Sequence, residues 1–89
     1  MIRAHILISG SVQGVGFRYF IKKKADELGL AGWVRNTSYG KVEVLLQGRK
    51  EQVQAMLAFC KEGPPLAEVK EIHVAKLPPG RDLTGFAVD

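Results

Sequence analysis

The 89-residue sequence is 46% hydrophobic and 25% charged, and its 13 basic and 9 acidic side chains give a net charge of +4. This length predicts one domain, residues 1–89, with a single core, and the single cysteine excludes an internal disulfide and a cysteine-based zinc site. The positive charge suits an anionic ligand, without choosing among phosphorylated metabolites, nucleic acids and membrane surfaces.

The first half of the chain shows a strand, a helix and a second strand. Isoleucine or alanine stands at every second position of residues 2–8, which predicts a half-buried strand. A glycine-rich loop, residues 10–16, follows it. Apolar residues at helical spacing then predict a helix over residues 17–28 that stops at Gly29, and residues 32–36 predict the second strand.

The second half continues with a turn at residues 37–40 and an alternating third strand over residues 41–47. A second helix is predicted over residues 49–61 and a fourth strand over residues 69–75, with a short edge strand possible at 86–88. The order β-α-β-β-α-β is that of the ferredoxin-like α+β sandwich. We therefore expect an antiparallel sheet of order 4-1-3-2 with two helices on one face.

This topology places two distant segments at one end of the sheet. Strands 1 and 2 run parallel in the 4-1-3-2 order, with strand 3 between them. The glycine-rich loop leaves the end of strand 1, and Asn36 stands at the end of strand 2. We therefore expect the loop and Asn36 to lie at the same end, with Asn36 on the side of the strand that carries Val34.

The glycine-rich loop leads directly into a helix, and this arrangement favours the binding of an anion. Glycines allow successive backbone N–H groups to converge, and a helix start adds unpaired N–H donors and partial positive charge. Arg18 adds a guanidinium that matches phosphate oxygens. The sequence fits neither the Walker A motif nor the dinucleotide fingerprint, since Arg18 and Tyr19 stand where those motifs need other residues. A tight turn with Arg18 in a surface ion pair is the structural alternative.

Three segments together resemble the acylphosphatase family. They are VQGVGFR at residues 12–18, GWVRN at residues 32–36 and GKVE at residues 40–43. The similarity extends over nearly the whole chain and includes residues 47–48 and 63–65. The family has the ferredoxin-like fold, so this resemblance implies the same architecture as the element order.

The resemblance also implies roles for individual residues. Arg18 would bind the phosphoryl group of an acyl phosphate, and Asn36 would orient the water that attacks it. The backbone amides expected to complete the phosphate site belong to Gln13, Gly14, Val15, Gly16, Phe17 and Arg18. Because a carboxylate leaves without protonation, positioning and charge stabilisation would suffice, and we expect no metal and no cofactor.

Two other functions fit parts of the sequence. The first is a nonenzymatic phosphate- or RNA-binding module. RNA-binding members of this general fold often show stacking aromatics on the exposed sheet face, and the expected face is poor in them. Acylphosphatase-like domains also form the N-terminal part of hydrogenase-maturation carbamoyltransferases, which are much longer chains. Departures from the family pattern at residues 37–40 and at Asp89 leave Arg18 and Asn36 in place.

The remaining chemically active residues have structural interpretations. His5 and His73 fall on the strand face opposite the core, Cys60 lies on the apolar face of the second helix, and Trp33 is expected to pack. The N-terminal apolar stretch is too short for a signal peptide, and none approaches the roughly 20 residues that span a bilayer. We expect a cytoplasmic monomer whose partner is a small-molecule acyl phosphate, with no nucleic acid and no membrane.

Overall fold

The computed structural model describes residues 1–89 as two helices packed on one face of a five-stranded sheet. The strands are β1 (Ile2–Ser11), β2 (Ala31–Asn36), β3 (Val42–Gly48), β4 (Glu68–Leu77) and β5 (Phe86–Val88), and the helices are α1 (Phe17–Leu28) and α2 (Lys50–Glu62). Every predicted element is present, with bounds shifted by at most two residues except at the end of β1, which runs three residues further than predicted and includes the first two residues of the predicted loop.

The strands lie in the order β4-β1-β3-β2-β5. The pairings β1–β3, β1–β4 and β2–β3 are antiparallel, so β1 and β2 run parallel on either side of β3. The ferredoxin-like prediction is confirmed. The short fifth strand pairs parallel to β2 and makes the sheet mixed.

The core lies between the sheet and the two helices and follows from the two periodicities of the sequence. Alternate residues of a strand share one face, and residues three or four apart share one face of a helix. The side chains that meet there include Ala4, Ile6, Ile8, Val34, Val42, Val44 and Leu46 from the sheet and Phe17, Ile21, Ala25, Val53, Met56 and Cys60 from the helices. Full burial of one large apolar side chain stabilises a fold by about 1.5–3 kcal/mol.

The edge strand β4 is only partly covered by the helices. Its inward residue Ile72 packs against the core, whereas Val74 remains 43% exposed. Neither α1 nor α2 has the length and apolar character that a membrane-crossing helix needs.

Hydrogen bonds attach the loop that follows β4 to the face of the sheet opposite the helices. Gln47, only 6% exposed, donates to the Gly80 carbonyl at 2.7 Å and accepts from the Gly80 amide at 3.0 Å. Arg3 donates to both Gln47 and Asp82, and its guanidinium holds the pKa of Asp82 below the usual value. These bonds satisfy a buried side-chain amide and fix the path of the chain towards β5.

Candidate active site

The loop between β1 and α1 meets the end of β2 at a cavity of about 230 Å³. The residues that line it are Val12, Gly14, Gly16, Phe17, Arg18, Tyr19 and Asn36. The structure therefore brings Arg18 and Asn36 into one cavity, because β1 and β2 are parallel and end on the same side of the sheet. Arg18 is the one charged residue in the lining.

The backbone of this loop presents a row of unused donors. No amide of residues 13–19 donates to another backbone group or to a side chain, and the first bond of α1 runs from the Phe20 amide to the Gly16 carbonyl at 3.0 Å. Gly14 and Gly16 adopt left-handed conformations, with φ of 75° and 79°, that favour glycine. Gly16 caps α1 without a side-chain hydrogen bond, so the amides of the first turn remain free for an anion.

Arg18 projects from the first turn of α1 and is held by a single bond. Its Nη1 donates to the backbone oxygen of Asp89 at 2.8 Å, and none of the ion pairs of the structure includes Arg18. Arg18 therefore forms no ion pair with an acidic side chain of this structure. The other N–H groups of the guanidinium are available to an oxyanion.

Asn36 is the last residue of β2. It lies on the same side of the strand as Val34, which is fully buried, so its side chain faces the start of α1. The side-chain bonds around it join Gln13 to Thr37 and Arg35 to Glu43, and leave the Asn36 amide uncommitted. An amide offers two donors and an acceptor, which is what holding a water requires.

The Gln13 side chain forms hydrogen bonds that the neighbouring sequence did not predict. Its side-chain amide donates to the carbonyls of Thr37 at 2.8 Å and of Lys41 at 2.9 Å. These two carbonyls flank the turn between β2 and β3, and the Thr37 hydroxyl also accepts from the Lys41 amide. Gln13 thus ties the loop that carries the free amides to the turn that follows Asn36.

A second cavity of about 380 Å³ shares Asn36 with the first, since this residue lines both. Arg35, Tyr39 and Glu43 contribute to its walls. Glu43 is bonded to His5 Nε2 and to Arg35 Nε, each at 2.6 Å. The His5 bond, together with the Arg35 guanidinium, holds the pKa of Glu43 below its usual value of 4.5.

Nearly the whole chain matches the model of one protein family. The family model described as acylphosphatase matches residues 4–88. The chain belongs to the acylphosphatase family. The family resemblance predicted from the three motifs is confirmed, and the chain is accordingly an enzyme of the hydrolases that act on acid anhydrides.

Individual relatives show how far the likeness extends. An acylphosphatase of Methylococcus capsulatus is 48% identical over 88 residues, which cover 99% of this chain and 96% of that relative. The crystal structure of the Bacillus subtilis acylphosphatase superposes with a TM-score of 0.96 at 37% identity and covers 100% of this chain and 99% of that one. T. kodakarensis HypF has a TM-score of 0.86 at 33% identity, but the match covers only 12% of that protein. The same fold thus also occurs as a small part of a longer chain.

The chemically active residues outside the cavity have structural surroundings. Cys60 is fully buried, and burial raises the pKa of its thiol to about 12. His5 pairs with Glu43, and His73 pairs with Glu71 on β4. No group of three or more His, Cys, Asp or Glu side chains is arranged to hold a metal ion. The predictions of a core cysteine and of histidines on the open sheet face are confirmed.

Proposed function

We propose that this chain hydrolyses acyl phosphates to a carboxylate and inorganic phosphate in the 230 Å³ cavity. One observation carries the proposal: Arg18, Asn36 with its uncommitted side-chain amide, and Gly14, Gly16, Phe17 and Tyr19 with unpaired backbone amides line the same small cavity, while Gln13 and Val15 lie outside its lining. The acylphosphatase names of the relatives and structural neighbours support it.

The phosphoryl group would be held by Arg18 and by the amides of Gln13, Gly14, Val15, Gly16, Phe17 and Arg18. The Tyr19 amide extends this row by one donor, since it too precedes the first hydrogen bond of α1. A guanidinium and converging amides stabilise the charge on the equatorial phosphoryl oxygens without a metal. The acyl phosphate would therefore bind with its phosphoryl group against the start of α1.

Asn36 would hold a water in line with the bond that breaks. The water oxygen forms the new bond to phosphorus, the bond from phosphorus to the carboxyl oxygen breaks, and both water protons end on the phosphate product. The carboxylate needs no general acid, because carboxyl groups ionise near pH 4. No Ser, Thr, Cys, His or carboxylate side chain lines the cavity, so we propose direct attack by water with no covalent intermediate. We expect the chain to act in this way as a single-domain cytoplasmic monomer.

The proposal is tested by hydrolysis of benzoyl phosphate by the purified chain in the presence of a chelator. Arg18→Ala is expected to lower kcat/KM by about 10³-fold or more, as for other arginines that stabilise phosphoryl transfer. Asn36→Ala is expected to lower kcat by about 10²–10³-fold. Arg35→Ala is the matched control, because Arg35 adjoins Asn36 but bonds Glu43 outside this cavity, and it should retain parental activity.

Each result has a distinct meaning once the variants are shown to be folded by circular dichroism. Activity that survives Asn36→Ala contradicts the water-orienting role and leaves the reaction intact. Activity lost in chelator and restored by magnesium contradicts the metal-free mechanism. A folded parent that turns over no acyl phosphate contradicts the proposal as a whole and points to phosphate or RNA binding by the same loop.

A further inference from the structure

Tyr19 is the one large side chain of the cavity lining that stands open to solvent. It is 71% exposed, whereas the other bulky apolar members of the lining, Val12 and Phe17, are 1% and 2% exposed. Tyr19 follows Phe17 by two residues, or about 200° around a helix. The backbone of α1 therefore directs Phe17 into the core and Tyr19 outwards beside Arg18.

The ring of Tyr19 has no partner within the protein. The aromatic pairs and cation–π contacts of the structure all involve other rings. Tyr39, the other strongly exposed tyrosine, is 64% exposed but has the Lys41 ammonium 5.8 Å from its ring centre. Tyr19 thus offers an unoccupied aromatic surface at the entrance of the cavity.

The geometry of the reaction decides on which side the acyl group lies. In phosphoryl transfer the attacking and leaving oxygens are roughly in line with phosphorus. Asn36 lines both cavities, and the water it holds would attack from the Asn36 side of the first cavity. The acyl group then extends away from Asn36 towards the open side of the cavity, and Tyr19 is the solvent-exposed side chain of its lining.

We propose that Tyr19 is a specificity-determining residue whose ring packs against the acyl group, and that the preferred substrates are acyl phosphates with a flat, aromatic acyl part. This inference rests on the proposed function, because it assigns the acyl side of the same site. An aromatic contact contributes an increment that corresponds to about 2- to 10-fold in kcat/KM. A small aliphatic acyl group cannot cover the ring and gains little.

The test compares kcat/KM for benzoyl phosphate and acetyl phosphate in the parent, Tyr19→Ala, Tyr19→Phe and Tyr39→Ala. The ratio of the two values cancels any general loss of activity. We expect the benzoyl-to-acetyl ratio to fall about 2- to 10-fold in Tyr19→Ala. Tyr19→Phe keeps the ring and should keep the ratio, and Tyr39→Ala, in the second cavity, should leave it at the parental value.

The other outcomes overturn the inference in recognisable ways. Equal losses for both substrates in Tyr19→Ala show that the side chain only supports the helix start. A fall of the ratio in Tyr39→Ala places the acyl group in the second cavity, and a fall in Tyr19→Phe assigns the effect to the hydroxyl instead of the ring. If the folded parent hydrolyses neither substrate, the proposed function fails first, before any variant is compared.

Discussion

Glu43 lies on the sheet face opposite the helices and pairs there with two side chains from the neighbouring strands. It stands in the middle strand β3 and bonds His5 of β1 on one side and Arg35 of β2 on the other, each at 2.6 Å. These partners favour the ionised carboxylate, so the pKa of Glu43 lies below 4.5 in the folded protein. The stabilisation is therefore complete above about pH 4.5 and is lost as the pH falls through the lowered value.

We predict that Glu43→Gln is less stable than the parent by about 0.5–1 kcal/mol at neutral pH, the range for partly screened ion pairs. The difference should shrink as the pH is lowered from neutrality to about pH 3, because the parental carboxyl takes up a proton as the pH falls through its lowered pKa. Denaturant unfolding at the two pH values measures both quantities. Glu68→Gln serves as the control, since Glu68 is exposed and forms no ion pair. A difference that persists unchanged at about pH 3 contradicts the electrostatic explanation.

At the scale of elements, the site depends on how the loop before α1 is held against the turn after β2. Gln13 makes this connection with two hydrogen bonds to the carbonyls of Thr37 and Lys41. We predict that Gln13→Leu lowers the free energy of unfolding by about 1–3 kcal/mol. The change removes two hydrogen bonds and leaves the carbonyls of Thr37 and Lys41 without the donor that Gln13 provides. It should also raise KM, because the loop amides are no longer fixed relative to Asn36.

The control for this change is Gln54→Leu, an exposed glutamine on α2, which should leave both stability and KM near parental values. If Gln13→Leu lowers stability but leaves KM unchanged, the hydrogen bonds serve the fold alone and do not position the loop. Urea unfolding and steady-state kinetics on the same samples separate the two results.

The elements and their order could be predicted from the sequence, because alternation and helical spacing are local properties of the chain. Asn36 was placed correctly for the same reason: its position at the end of a strand and its parity with Val34 follow from residues 32–36 alone. The tasks of Gln13 and Gln47 could not be predicted. Their partners are 24–33 residues away, and nothing in the neighbouring sequence specifies a carbonyl that only the folded turn or loop presents.

The partners of Arg18 also could not be predicted from the sequence. The sequence allowed both an anion site and a surface ion pair, since a glycine-rich turn with an arginine is compatible with either. The choice depends on whether a carboxylate from elsewhere in the chain reaches the guanidinium. The folded structure gives Arg18 no acidic side chain as a partner and bonds it to the backbone oxygen of Asp89. It also adds Tyr19 to the cavity lining, whereas the motifs indicated only residues 13–18 and Asn36.

At the scale of the whole molecule, the fold preorganises the hydrogen-bond donors of the site, and no acidic side chain in the cavity lining compensates their positive charge. Gly14, Gly16, Phe17, Arg18 and Tyr19, whose amides are unpaired, line one cavity that has no acidic side chain in its lining, and the repulsion among these donors counts against the native state. An anion that binds the native state alone relieves it and shifts unfolding by mass action. Inorganic phosphate, the expected product, should therefore stabilise the protein in the absence of turnover.

We predict that phosphate at about ten times its dissociation constant stabilises the native state by about 1.4 kcal/mol, which raises the Tm of a domain of this size by about 5–10 °C. Arg18→Ala should lose most of this rise, and Tyr39→Ala should keep it. Phosphate also stabilises proteins generally through exclusion from their surfaces, so thermal unfolding is followed in phosphate and in chloride of equal ionic strength. An equal rise in the parent and in Arg18→Ala identifies that general effect and contradicts a phosphate site at the start of α1. A rise confined to chains that carry Arg18 locates the anion there by a measurement that does not depend on catalysis.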